Sequence, residues 1–112
     1  MSLSILVLTY NCEIEESITI RSLANSDVNF SGVNLCIWNN GPKKLVYKTK
    51  TLKILEQKGF CITINQTINN APLSWIYNNF IQSFSSNNYV ILDHDSKLSP
   101  EYLNASLEEK TA

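Results

Sequence analysis

A chain of 112 residues is long enough for one compact domain with its own core and too short for two. Hydrophobic residues make up 44% and charged residues 17%, with a formal net charge of −1, which is a globular composition and excludes a disordered chain. One arginine (Arg21) and lysines scattered apart from Lys43-Lys44 give no basic footprint for nucleic acid or an anionic membrane.

In chain order the first element is the apolar run Leu3 to Thr9, too short for the roughly 20 residues of a bilayer span and without a basic n-region, so it reads as a strand. Glu13 to Ala24 has helical spacing, with Ile14, Ile18 and Leu23 on one broad face. Val33 to Trp38 is a second strand. A second helix is expected from Lys44 to Gln57, with Gly59 placed to end it. A weaker β-branched run, Phe60 to Ile64, is a third strand. Pro72 to Phe84 is a third helix, with Pro72 suited to its first turn and Trp75, Ile76, Phe80 and Phe84 assigned to the core. Tyr89 to Leu92 is the last strand, followed by a short helix from about Ser99 to Glu108.

Strands alternating with helices imply an α/β fold, a mostly parallel sheet joined by right-handed crossovers with helices on both faces. In such sheets ligands bind beyond the carboxyl ends of the strands. That edge collects Thr9-Tyr10-Asn11, Asn39-Asn40-Gly41-Pro42 and Asp93-His94-Asp95-Ser96. Cys12, Cys36 and Cys61 are odd in number and far apart, so reduced thiols in a cytoplasmic protein are expected.

Asp93 and Asp95 leave an apolar strand, and an extended course would put both carboxylates on one side with His94 on the other. Neighbouring carboxylates repel unless a cation relieves them, and hard oxygen ligands suit Mg²⁺ or Mn²⁺. The same two residues would equally serve to cap the following turn or helix. His94 is the single histidine and more often a surface or hydrogen-bonded residue than a metal ligand. Tyr10 stands where a ring can pack on a planar base, with Thr9 or Asn11 within reach of ribose or phosphate, or where it would simply close the core. The Asn39 and Asn40 amides have the donors and acceptors to read a pyrimidine edge, and turn chemistry explains them as well. Asn70 precedes a helix start that favours anions, with plain capping the simpler reading.

Taken together, Ile5-Leu6-Val7-Leu8-Thr9-Tyr10-Asn11, Ile37-Trp38-Asn39-Asn40-Gly41-Pro42, Asn70 with Tyr77-Asn78, and Val90-Ile91-Leu92-Asp93-His94-Asp95 before Pro100 resemble, in order and spacing, the family-2 glycosyltransferases of the GT-A fold. The resemblance implies a Rossmann-like donor-binding half that transfers a sugar, usually with inversion and with Mn²⁺ or Mg²⁺, from a nucleotide-diphosphate sugar of UDP or dTDP type to a saccharide or lipid-linked acceptor in cell-surface polysaccharide synthesis. It implies that Tyr10 lies by the base, Asp93 near the ribose and Asp95 on the metal. The family's acidic pair is here Asn39 and Asn40, which leaves the base identity open. Family members continue into an acceptor-binding half that carries the catalytic base, so residues 1–112 are expected to be a single donor-binding domain, truncated before that half and inactive alone, and held at the inner membrane face only through regions beyond it. Glu101, Glu108 and Glu109 are read as a solvated helix face. The competing reading is a non-catalytic α/β nucleotide- or partner-binding module. A phosphoryl-transfer domain would require acidic residues after the first strand, where Thr9-Tyr10-Asn11 stand.

Overall fold

The computed structural model describes residues 2–45, 49–96 and 98. Its elements are β1 (Leu3–Thr9), a 3₁₀ turn (Ile14–Glu16), α1 (Ile18–Asn25), β2 (Asn34–Asn39), α2 (Lys50–Gln57), β3 (Cys61–Gln66), α3 (Leu73–Ser83) and β4 (Asn88–Asp93). The four strands form one all-parallel sheet in the order β3-β2-β1-β4. The α/β fold expected from the alternating pattern is therefore present. The helix expected from Ser99 to Glu108 lies outside the described residues.

Side-chain alternation divides the interior into two layers. Leu3, Ile5 and Val7 of β1 and Leu35 and Ile37 of β2 point to one face, where Ile20 and Leu23 of α1 and Leu52 and Leu55 of α2 cover them. Leu6, Cys36 and Trp38 point to the other, where Ile76 and Phe80 of α3 pack. Ser4 shares that second face and is fully buried, and its hydroxyl is satisfied by the Ser86 hydroxyl and the Asn34 amide.

The structure revises three helix boundaries. The expected Glu13–Ala24 helix breaks at Ser17, whose backbone is extended (φ −73°, ψ 119°) and whose hydroxyl caps Ile20 N–H. This shift of phase leaves Ile18 41% exposed and gives its core position to Ile20. The second helix starts at Lys50, capped by the Thr49 hydroxyl on Leu52 N–H, while Leu45 is buried ahead of it. It closes as expected through Lys58 into Gly59 at φ +100°, where a Cβ would lie 2.6 Å from the Ser31 Cα. Pro72 caps α3 from outside its first turn. Trp75 is 49% exposed and leaves the core, meeting Trp38 edge-on at 5.9 Å between ring centroids.

Candidate functional site

The strand order places a topological switch point between β1 and β4. From β1 the chain crosses to β2 and on to β3, and only then returns to the other side of β1 to form β4. In parallel sheets such a switch point is where a crevice opens at the carboxyl ends of the strands. The register pairs Leu8 with Asp93, so Tyr10 and Asn11 emerge directly beside Asp93-His94-Asp95.

Main-chain bonds that continue the sheet outward hold this rim together. Asn40 N–H donates to Thr9 C=O at 2.8 Å, Thr67 N–H to Asn39 C=O at 2.8 Å, and Asn11 N–H to Gly41 C=O at 2.6 Å. The Gly41–Pro42 peptide bond is cis.

On this frame the residues singled out in the sequence fall into two groups. Thr9, Asn39 and Asn40 are buried, at 0%, 1% and 4% exposure. Asn39 Nδ2 donates to Lys43 C=O and to Gln66 Oε1, and its Oδ1 accepts from Gly41 N–H. Asn40 Oδ1 accepts from Ala71 N–H at 2.7 Å and from the Thr67 hydroxyl at 2.7 Å, and its Nδ2 donates to Ala71 C=O. Both amides are thus committed inside the fold. Of the two roles the sequence left open for these amides, reading a base edge and shaping the turn, their hydrogen bonds in this structure are those of the turn. Thr9 likewise turns its hydroxyl inward, toward Trp38 C=O.

Tyr10, Asn11, Asn70, Asp93 and Asp95 form the second group, all exposed. Tyr10 is 52% exposed at the tip of the β1 edge. Asn11 (φ 49°) and Asn70 (φ 63°) occupy the left-handed region that asparagine tolerates. Asn70 does not cap α3 as the sequence suggested. Its Nδ2 donates to Asn40 C=O at 3.3 Å, and Pro72 at the cap position has no polar side-chain group to bond the first N–H groups of the helix. The loop Thr67 to Ala71 lines a shallow recess beside it.

Asp93 ends β4, while Asp95 lies in the turn that follows, so strict alternation does not relate them. Two residues that sequence reading passed over shape this turn. Ser17 donates its hydroxyl to His94 C=O at 2.7 Å. Thr19 donates its N–H to the same carbonyl and its hydroxyl to Asp93 C=O, and the hydroxyl oxygen accepts Ser96 N–H at 2.7 Å. Both are fully buried. A Ser-x-Thr pair at a helix start was the available signal, but from sequence it indicates only a cap.

The electrostatics of the rim are acidic on the β1 side. Burial pushes the Cys12 thiol above its ordinary value, with the Glu16 and Glu13 carboxylates adding to the effect and Asp95 contributing less, against the opposing Lys43. Glu13 N–H is held by the Glu16 carboxylate in a capping box. Cys12, Cys36 and Cys61 are all free thiols. Among the described residues no group of three or more His, Cys, Asp or Glu side chains gathers in a way that could hold a metal ion alone. The available donor set is the exposed pair Asp93 and Asp95. That set fits Mg²⁺ or Mn²⁺, since such ions commonly take one or two carboxylates and complete their shell with waters and substrate phosphates.

No protein-family model matches the sequence, and no curated protein sequence matches it. No described helix is long and apolar enough to cross a membrane. Solved structures do match. A crystal structure of Staphylococcus aureus TarS residues 1–349 superposes with a TM-score of 0.64 at 21% identity, over 96% of this chain and 32% of that one. A second TarS crystal structure gives 0.64 at 22% identity, over 96% of this chain and 19% of that one. The chain thus spans about a third or less of the TarS chains it matches, and its four-stranded parallel sheet has the GT-A-like α/β fold of the corresponding part of TarS, a family-2 glycosyltransferase.

Proposed function

We propose that this chain is the donor-binding portion of a glycosyltransferase that acts with a nucleotide-diphosphate sugar of UDP or dTDP type and a divalent cation. The observation that carries this reading is the convergence of exposed Tyr10, Asn11, Asp93 and Asp95 on the β1–β4 switch point of a sheet with the TarS fold. Tyr10 offers a ring face to the base. Asp93 lies toward the ribose and Asp95 toward the diphosphate, and the two carboxylates would hold Mn²⁺ or Mg²⁺. A bound ion neutralises charge on the departing nucleoside diphosphate.

Asn70 and Asn11 extend the polar lining, whereas Thr9, Asn39 and Asn40 act from beneath as scaffold. Transfer, with inversion, to a saccharide or lipid-linked hydroxyl needs a general base. No residue of 1–112 takes that role in this scheme. Polysaccharide synthesis on the cytoplasmic side is the setting that this reading favours.

Isothermal titration with UDP and dTDP, with and without Mn²⁺, tests it. Saturable, metal-dependent binding that weakens at least about tenfold in Asp95→Ala is the expected result. A second reading, a non-catalytic α/β nucleotide- or partner-binding module, draws on the buried, committed amides of Asn39 and Asn40. Absence of nucleotide binding by the folded chain, with or without metal, would favour it.

A further inference from the structure

The sheet ladder supports Asp93 but not Asp95. Among the described residues β4 pairs with β1 alone, and its register ends with Leu8 against Asp93. Past that residue the chain turns, and residues 93–96 are bound through their main chain to the start of α1. Asp93 C=O accepts the Thr19 hydroxyl, His94 C=O accepts both the Ser17 hydroxyl and Thr19 N–H, and Ser96 N–H donates to Thr19 Oγ1. The Thr19 hydroxyl therefore donates to the residue before the turn and accepts from the residue after it, which fixes the distance across His94-Asp95. Ser17 holds the carbonyl between them while its oxygen also caps Ile20.

Because Thr19 and Ser17 are fully buried, these bonds are shielded from competing water. The Asp95 side chain is exposed while its backbone is fixed. Such a carboxylate meets a ligand without first paying to order its own loop.

We infer that Thr19, assisted by Ser17, is a positioning residue that holds the Asp93-His94-Asp95 turn in its binding geometry. The inference rests on the donor-site reading above. It predicts that the Thr19 hydroxyl acts on affinity through the turn, without touching metal or nucleotide.

The test compares Thr19→Val, which keeps the shape and loses the hydroxyl, with Thr19→Ser, which keeps the hydroxyl. Ser17→Gly is the second probe, since glycine is well tolerated at a helix cap. Two quantities are read on the full chain: hydrogen exchange at the Ser96 amide by NMR, and Mn²⁺-dependent UDP binding by titration calorimetry.

In Thr19→Val, Ser96 exchange should accelerate at least about tenfold and affinity fall about tenfold, the low end for residues that orient metal ligands from outside. Thr19→Ser should restore both to within about twofold, a rescue that general loss of packing would not produce. Ser17→Gly should weaken binding while Ser96 stays protected. Thr19→Val with wild-type affinity, or Thr19→Ser as impaired as Thr19→Val, overturns the inference and leaves the donor site standing. A wild-type chain that binds no UDP with Mn²⁺ overturns the donor-site reading, and the inference falls with it.

Discussion

A Cβ at Gly41 would lie 2.2 Å from the Ile68 carbonyl oxygen, and the residue holds φ +88°. Both backbone conformation and available space therefore demand glycine. Gly32 shares the positive φ (+79°) but has nothing within 4 Å of a built Cβ. Gly41→Ala should lose roughly 2–4 kcal/mol and Gly32→Ala only about 1 kcal/mol, a difference that urea denaturation of the two variants would reveal. Cysteine reactivity separates by burial in the same way. Cys61 is exposed on β3, whereas burial raises Cys36 to about 11 and raises Cys12 as well. Iodoacetamide on the folded chain at neutral pH should label Cys61 first and reach Cys12 and Cys36 only on unfolding, as peptide mapping would show. At this scale the sequence was a partial guide. The exposure of Tyr10, Asp93 and Asp95 followed from their place at strand ends. The inward turn of Asn39 and Asn40 did not, because it depends on Gln66, Thr67 and Ala71, roughly 27 to 31 positions away.

Glu15, in the 3₁₀ turn before α1, reaches across to the start of α2. Its carboxylate accepts the hydroxyl of Thr51 at 2.5 Å and the N–H of the same residue at 3.4 Å. The Thr51 hydroxyl is the main reason that the Glu15 carboxyl titrates below its ordinary value of 4.5. A carboxyl with a depressed folded pKa contributes stability that is present above its unfolded value and lost as the pH falls through the folded one. Wild type and Glu15→Gln should therefore differ at pH 6–7, by no more than about 0.5–1 kcal/mol for so exposed a group at a helix start, and converge as the pH drops below about 4. Thermal midpoints measured across that range would check it. Element types were readable from periodicity because β1, β2 and α3 each carry a long apolar repeat. Breaks were not, because the interruption at Ser17 is stabilised by His94, which is 77 residues away.

The sheet separates two cores of unequal cover. α1 and α2 share one face, while α3 is the only described helix on the other, with Phe80 fully buried against Leu6, Cys36 and Trp38. Phe80 also meets Tyr89 edge-on at 5.7 Å and Phe84 at 5.5 Å. Phe80→Ala should cost about 3–5 kcal/mol, a large share of the roughly 5–15 kcal/mol that a domain of this kind has in total. Equilibrium urea unfolding followed by both fluorescence and circular dichroism would measure it, and a shifted midpoint with unchanged slope is the expected form.

Most of the bonds that shape the rim are main-chain bonds between neighbouring loops or involve the buried side chains of Thr9, Ser17, Thr19, Asn39 and Asn40, while Tyr10, Asn11 and Asp93 project outward from it. The chemistry of the lip and the stability of the fold are consequently separable in this chain. Tyr10 and Asp93 can be exchanged at little thermodynamic cost, whereas Asn11, at φ 49°, gives way freely only to glycine or another residue that tolerates the left-handed region, so the chemistry of the lip can change while the sheet beneath it stays as it is.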